Sequence, residues 1–273
     1  MQDKDFREIE HAAWSHRASR YDEFFADVST QAIPYILSCL PNWSGKRHLD
    51  VACGTGHLVA ALAKQGALSE GVDFAQPMVD AARANYPGHR FELADAVQLP
   101  FAGGVFDVVT CAFGLLHMAA PQSACDEAYR VLKPGGCFAF TLWFGAETGG
   151  EWQAIVAAAI RAHATTTSDL PQSWTAVRFA DPDGCSALVR HSGFNPPTFR
   201  TLPIVRRSTS AQDVVDLIDK LSIRNAALLS MQPPAIQERI REQILVEAEA
   251  RRREGVIELA WPALLTVAKK AVK

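Results

Sequence analysis

Three acids are spaced almost evenly through the first half of the chain: Asp50, Asp73 and Asp95, 23 and 22 residues apart. They fall at the ends of the runs "RHLDVAC", "LSEGVDF" and "HRFELADA". Such runs read as strands, so the carboxylates sit at successive strand tips around one cleft. Between the first two acids lie Gly54 and Gly56, a Gly-x-Gly turn that lets a ligand approach the backbone. His117 follows a fourth run, "VFDVVTCAF", and stands at the mouth of the same cleft. Clustered carboxylates repel a pyrophosphate and favour hydroxyl, amine or cationic groups. The glycine turn alone is ambiguous. A dinucleotide loop wants a third glycine where Val59 stands, and a phosphate loop wants a lysine where His57 stands.

The elements that must position these residues alternate in type from about residue 47 to residue 144. Strand-like runs are separated by "HLVAALAKQG", "QPMVDAARANYPG" and "PQSACDEAYRVLKPGG", which carry helical periodicity. In the last of these, Ser123 and Asp126 have capping-box spacing, and Pro134-Gly135-Gly136 ends the helix. A fifth strand, "CFAFTLWF", follows. The alternation predicts an α/β fold with a mostly parallel sheet, helices on both faces and a ligand beyond the carboxyl ends of the strands. Residues 5–28 read as one helix with an aromatic stripe through Trp14, Tyr21, Phe24 and Phe25. Beyond residue 145 the rhythm loosens. "PTFRTLPIVRRS" reads as one strand, "VIELAWPALLTVAKKA" contains one last strand, and "SAQDVVDLIDKLSIRNAALLSM" is helical. We expect N-terminal helices over the cleft (1–44), a core (45–145), and remaining strands (146–273) with helical insertions at about 151–180 and 211–254 capping a pocket, all in one domain.

Composition narrows the partners. The chain has 273 residues and a net charge of −3 with no basic face, which gives nucleic acid no electrostatic footing. It contains no apolar run long enough for a transmembrane helix, and its first residues are too polar for a secretory signal. None of the six cysteines has C-x-x-C spacing, so no metal or redox site is expected, and reduced thiols suit a cytoplasmic protein. A small-molecule ligand and a monomer or homodimer are the expectation.

An acid at the tip of the second strand can accept from both hydroxyls of a ribose. A ligand with a ribose, an adenine amine and a cationic sulfonium fits this field of acids. The blocks "LDVACGTGHL", "GVDFAQPMVDAARAN", "ADAVQLPF", "FDVVTCAFGLLH" and "RVLKPGG" resemble, in order and spacing, those of class I S-adenosylmethionine-dependent methyltransferases. The branch they are most similar to makes ubiquinone and menaquinone. The resemblance covers about residues 45–145. It implies a Rossmann-like seven-stranded sheet with an antiparallel last strand and S-adenosyl-L-methionine as cofactor. It also implies roles. Asp50, Ala52, Gly54 and Gly56 would surround the methionine portion, and Asp73 would hold the ribose. Phe74 and Met78 would pack near the adenine, whose amine Asp95 and Ala96 would meet. Phe113 would close the pocket, and Tyr21 would cover it.

Two departures stand out. The family often has glycine where Ala52 stands, and quinone-type relatives read "FGLRN" where this chain reads "FGLLH". The Arg-Asn pair is absent, so the resemblance does not extend to a quinone acceptor. Methyl transfer to oxygen, nitrogen or carbon of a small molecule is the implied activity. A different cofactor-assisted step, or an idle binding partner, stays open beside it. Asp73 has a second reading as a helix N-cap, Asp95 as a turn former and Tyr21 as part of a docked helix. His117 is either a general base or a satisfied pocket histidine. Trp143, Trp152 and Trp174 either line a substrate pocket or fill a core.

Overall fold

The computed structural model describes residues 3–18, 21–39, 42–166 and 181–272. They fall into two compact units, the first within 1–142, 175–202 and 263–273, the second within 143–174 and 203–262.

The first unit holds a seven-stranded sheet. Its strands are β1 (Arg47–Val51), β2 (Leu68–Asp73), β3 (Arg90–Leu93), β4 (Phe106–Ala112), β5 (Leu132–Trp143), β6 (Thr198–Leu202) and β7 (Ala263–Lys269). Their order is β3-β2-β1-β4-β5-β7-β6. The β1–β2, β1–β4, β2–β3 and β4–β5 pairs are parallel, and β7 is antiparallel to β6. This is the mostly parallel sheet the alternation predicts. The order reverses between β1 and β4, which opens a crevice at their carboxyl ends. The longer helices of this unit are α1 (Asp3–Arg17), α2 (His57–Lys64), α3 (Gln76–Asn85), α4 (Pro121–Val131) and α5 (Pro182–His191). β4 is buried along Val108–Cys111, as its unbroken apolar character demands.

Four local expectations change. The single helix over 5–28 is divided: α1 ends at Arg17, and short helical turns follow at Tyr21–Phe24 and Ala26–Ser29. The aromatic stripe nonetheless converges, with Trp14, Tyr21 and Phe25 within 5.3–6.1 Å of one another. The spacing reports a shared face, not an unbroken axis. Second, α4 begins at Pro121 on an Ala120 N-cap without a side-chain bond. Ser123 is inside the first turn, and Asp126 accepts from Gln122 and Ser192 instead. Third, "KPGG" belongs to β5. The register against β4 jumps from Phe106↔Leu132 to Val108↔Cys137, so these four residues bulge. Pro134 has no N–H to donate and Gly135 takes φ +77, while Gly135 N–H bonds the Lys270 carbonyl at 3.0 Å. Fourth, Pro203 and Pro262 each divide a run read as one strand, and the two halves join different sheets.

The second unit has a three-stranded antiparallel sheet in the order Val205–Ser208, Val256–Ala260, Arg252–Arg253. Its helices are Glu151–His163, Ala211–Leu221, Ile223–Ser230 and Pro234–Glu249. The run read as one helix over 210–231 breaks where Ser222 accepts from Asn225 N–H and starts a new helix. Trp152 stacks on Trp261 at 5.2 Å and donates to the Val214 carbonyl, so it is a core residue of this unit. Trp143 meets Trp261 edge-on, and Trp174 lies outside the described residues.

One glycine shows how tightly the loop after β1 is fitted. Gly56 has φ +89, and a Cβ there would meet the Phe91 ring at 2.7 Å and the Tyr86 ring at 3.1 Å. Gly56→Ala is expected to destabilise the protein by roughly 1–3 kcal/mol through strain and clash. Urea unfolding checks this, and an unchanged midpoint would mean the rings can move aside.

Candidate functional site

The site begins where β1 ends. Ala52, Gly54 and Gly56 all take positive φ, at +57, +53 and +89. The chain therefore folds back on itself and turns its N–H groups inward. Asp73, at the tip of β2, fastens this loop: Oδ2 accepts from Gly54 N–H at 2.9 Å and Oδ1 from Ala75 N–H at 3.0 Å. Asp73 is thus not the N-cap of α3, a position held by Ala75. Burial raises its pKa, while the Ala75 and Gly54 N–H groups and His117 pull the other way. Ala52 keeps its left-handed conformation beside Gly114, where a Cβ would lie 2.6 Å from the Ala52 methyl.

A cavity of about 360 Å³ opens over these strand tips. Tyr21, Ala52, Gly54, Asp73, Phe74 and Met78 line it. Asp95, Ala96, Phe113 and His117 line it as well. Apolar walls with a few convergent polar groups are what a small-molecule site requires. Asp50 does not reach this cavity. It lines a side chamber of about 50 Å³ that shares Tyr21, Ala52, Gly54 and Phe113 with the larger space. Gly56 lines neither, and its bare Cα serves the packing of Phe91 and Tyr86 instead.

Asp50 is held through the sheet. Thr110 donates to Asp50 at 2.6 Å, His48 Nε2 lies 2.8 Å from the same Thr110 hydroxyl, and His48 Nδ1 lies 2.7 Å from Ser69. The hydroxyl proton is committed to Asp50, so His48 donates from Nε2 and accepts from Ser69. Burial drives His48 down to about 3, which keeps it neutral in this relay. Burial also raises Asp50 from 3.8 to about 7. The Thr110 bond opposes that rise and the Asp73 charge adds to it.

Tyr21 is placed by its neighbour. Asp22 accepts from Thr55 at 2.6 Å and Asn85 at 2.9 Å, and faces His57 Nε2 at 2.9 Å. Against the effect of burial, these bonds hold Asp22 below the usual carboxylate value. Tyr21 then stacks on Phe25, and a Cβ on Gly54 would lie 3.9 Å from its ring. Burial raises its phenol to about 12, so it stays protonated.

Arg7 and Trp14 of α1 also line the cavity, and Glu10 of the same helix stands behind His117. Arg7 forms an ion pair with Asp95, whose Oδ1 also accepts from Val97 N–H at 3.1 Å. Asp95 is therefore both a turn former and a cavity carboxylate. Glu10, 8% exposed, accepts from Trp14 Nε1 at 3.0 Å and from His117 Nδ1 at 2.9 Å. Trp14 lies edge-on to His117 with centroids 4.7 Å apart. Trp14 was visible in the aromatic stripe, but Arg7 and Glu10 follow no pattern. Chemically, buried carboxylates here offer lone pairs to hydroxyls and charge to a cation, inside an apolar enclosure.

The raised Asp50 makes stability depend on pH. The folded protein keeps this proton between about pH 4 and 7, where the unfolded chain has lost it. Asp50's contribution to stability therefore falls as pH rises through that window, while His48, held neutral by the fold, contributes in the opposite sense below about pH 6.5. Asp50→Asn should flatten the fall by on the order of 2–4 kcal/mol. Denaturant unfolding at about pH 5 and pH 8 measures it, and equal slopes in parent and variant would assign the effect elsewhere.

Known proteins resemble this chain in sequence and fold. A family model described as a methyltransferase domain matches residues 49–140. Over 118 residues the chain is 45% identical to a demethylmenaquinone methyltransferase of Clavibacter sepedonicus, covering 42% of this chain and 45% of that enzyme. Over 168 residues it is 34% identical to a demethylmenaquinone methyltransferase of Deinococcus radiodurans, covering 55% of this chain and 68% of that one. The match to the Clavibacter enzyme thus spans about half of that enzyme's length. The YcgJ protein of Bacillus subtilis has the same fold, with a TM-score of 0.60 at 19% identity over 89% of this chain and 99% of that one.

Proposed function

The chain belongs to the class I S-adenosylmethionine-dependent methyltransferases of the menaquinone and ubiquinone type, and from that premise we propose that it methylates a small molecule. The observation that carries this reading is Asp73: a buried carboxylate at the tip of β2, on the cavity wall, tied to Gly54.

The residues fit S-adenosylmethionine. Asp73 spends one bond on each oxygen and keeps a lone pair on each for the ribose diol. Phe74, Met78 and Ala96 give the adenine an apolar slot, and Asp95 borders it. Gly54 leaves its Cα bare towards the cleft, and Asp50 in the side chamber would hold the amino-acid end of the cofactor. When bound, the cofactor supplies an electrophilic methyl group on a cationic sulfur. The protein's part is to align the acceptor in line with that methyl and keep water out. Tyr21 and Trp14, both brought by the N-terminal helical segments, close the cavity from above. A cytoplasmic setting suits the six free thiols.

The acceptor named for the curated relatives, a demethylmenaquinone, is the first to try. "FGLLH" in place of "FGLRN" argues that its contacts here differ.

Titration calorimetry tests the pocket, with S-adenosylmethionine, S-adenosylhomocysteine and NADH as ligands. The first two should bind in the micromolar range and NADH should not. Asp73→Ala should lose about 1.5–3 kcal/mol of cofactor binding, roughly ten- to a hundredfold. A variant that binds like the parent would remove Asp73 from the ribose site, and binding of NADH alone would overturn the reading. Product analysis then separates methyl transfer from another cofactor-assisted step.

A further inference from the structure

We propose that His117 is the general base of the methyl-transfer reaction and that Glu10, 107 residues away in sequence, is the residue that positions it. The proposal rests on the methyltransferase reading, and it defines the acceptor class: a small molecule whose nucleophilic atom carries an ionisable proton, such as a phenol or an enol.

Geometry supplies the first part of the argument. His117 ends a single turn, Leu115–His117, directly after β4. Its N–H bonds the Gly114 carbonyl at 3.0 Å, and Leu115, 1% exposed, pins the turn in the core. The imidazole lines the cavity, with the side chain 25% exposed. On the other side, Glu10 Oε2 already accepts the Trp14 indole N–H. An oxygen with that role faces Nδ1 as an acceptor, so the imidazole proton sits on Nδ1. Nε2 is left with its lone pair, and among the described residues no hydrogen-bond partner occupies it.

The second part is that a tether would not need this chemistry. Docking α1 against the core could use any apolar side chain, and Trp14 already does so against Ala75 and Met78. A carboxylate buried to 10% side-chain exposure is costly unless its charge has a use. Beside a histidine it stabilises the imidazolium that forms when Nε2 takes a proton. The groups facing His117 are few. Glu10 and Trp14 come from α1, Asp73 from the tip of β2 acts on it through charge, and Arg7 with Asp95 lies along the same cavity. Glu10 and Asp73 both favour the imidazolium, while Arg7 is neutralised by Asp95.

The step balances simply. As the acceptor atom forms its bond to the methyl carbon, the carbon–sulfur bond breaks and its electron pair stays on sulfur. The acceptor proton passes to His117 Nε2, and solvent later removes it. Thiolate or tertiary-amine acceptors, which have no proton to lose at neutral pH, need no such base.

The test uses the full chain labelled with ¹⁵N-histidine, with His117 assigned by its loss in His117→Ala. Without any ligand, neutral His117 should show a protonated Nδ1 and a bare Nε2. Glu10→Gln, whose amide can donate as well as accept, should populate both neutral tautomers. With S-adenosylmethionine and 1,4-dihydroxynaphthalene as acceptor probe, His117→Ala should lose ten- to a hundredfold in transfer rate and keep its calorimetric cofactor affinity. Glu10→Gln should lose part of that rate at unchanged cofactor affinity. A protonated Nε2 in the parent, an unchanged tautomer in Glu10→Gln, or a parental rate in His117→Ala would each overturn the proposal. If the parent binds no S-adenosylmethionine, the methyltransferase reading fails instead, and the tautomer measurement shows that the two failures are separate.

Discussion

The carboxylate of Asp73 is the joint on which the cleft depends. One oxygen holds Gly54 in the loop after β1, and the other holds Ala75 at the start of α3. Two parallel strands are thereby locked at their tips as well as along their ladder. The loop can take its three left-handed residues because this bond fixes where the turn must go. Burial works against the charge, yet two N–H groups and the nearby His117 restore part of what water would have given. The carboxylate proposed to hold the ribose is the one that holds the fold together, so on that reading the cleft is preorganised.

Around that joint the structure sorts its acids by task. Asp50 is drawn into the sheet by Thr110 and His48, Asp22 latches the N-terminal turn onto Thr55 and Asn85, and Asp95 meets Arg7. Each is paired with a donor suited to its burial. The N-terminal segment joins through such polar contacts and through the Trp14, Tyr21 and Phe25 cluster. It packs without a strand of its own, so opening and closing of the cleft would break side-chain contacts rather than a sheet ladder.

Local patterns carried most of this. The parallel core was legible because apolar runs and helical stripes alternate, and because each acid closes a strand. Proline-broken strands were misread as continuous, since a run of β-branched residues does not say which sheet it joins. Pro203 and Pro262 mark where the chain changes sheets. "KPGG" looked like a helix end but forms a bulge, which only its partners on β4 and β7 determine. Gly56 looked like a ligand-approach glycine, whereas its neighbour is the Phe91 ring. Arg7 and Glu10 were invisible because their partners are Asp95 and His117, far along the chain, and no periodicity encodes such pairs.

The placement of β7 has a kinetic meaning. It follows β6 in the chain only after the second unit, 203–262, yet it lies between β5 and β6 in the sheet. The block from β3 to β5 can assemble as soon as it leaves the ribosome. β6 cannot, because its ladder partner is still some sixty residues from being made, roughly 3–12 s at common rates of synthesis. During that interval β6 is a strand without a sheet, and β5 carries an open edge. The nascent chain must carry that exposed edge until β7 slots between the two strands, which makes this half of the sheet the place where misassembly would begin.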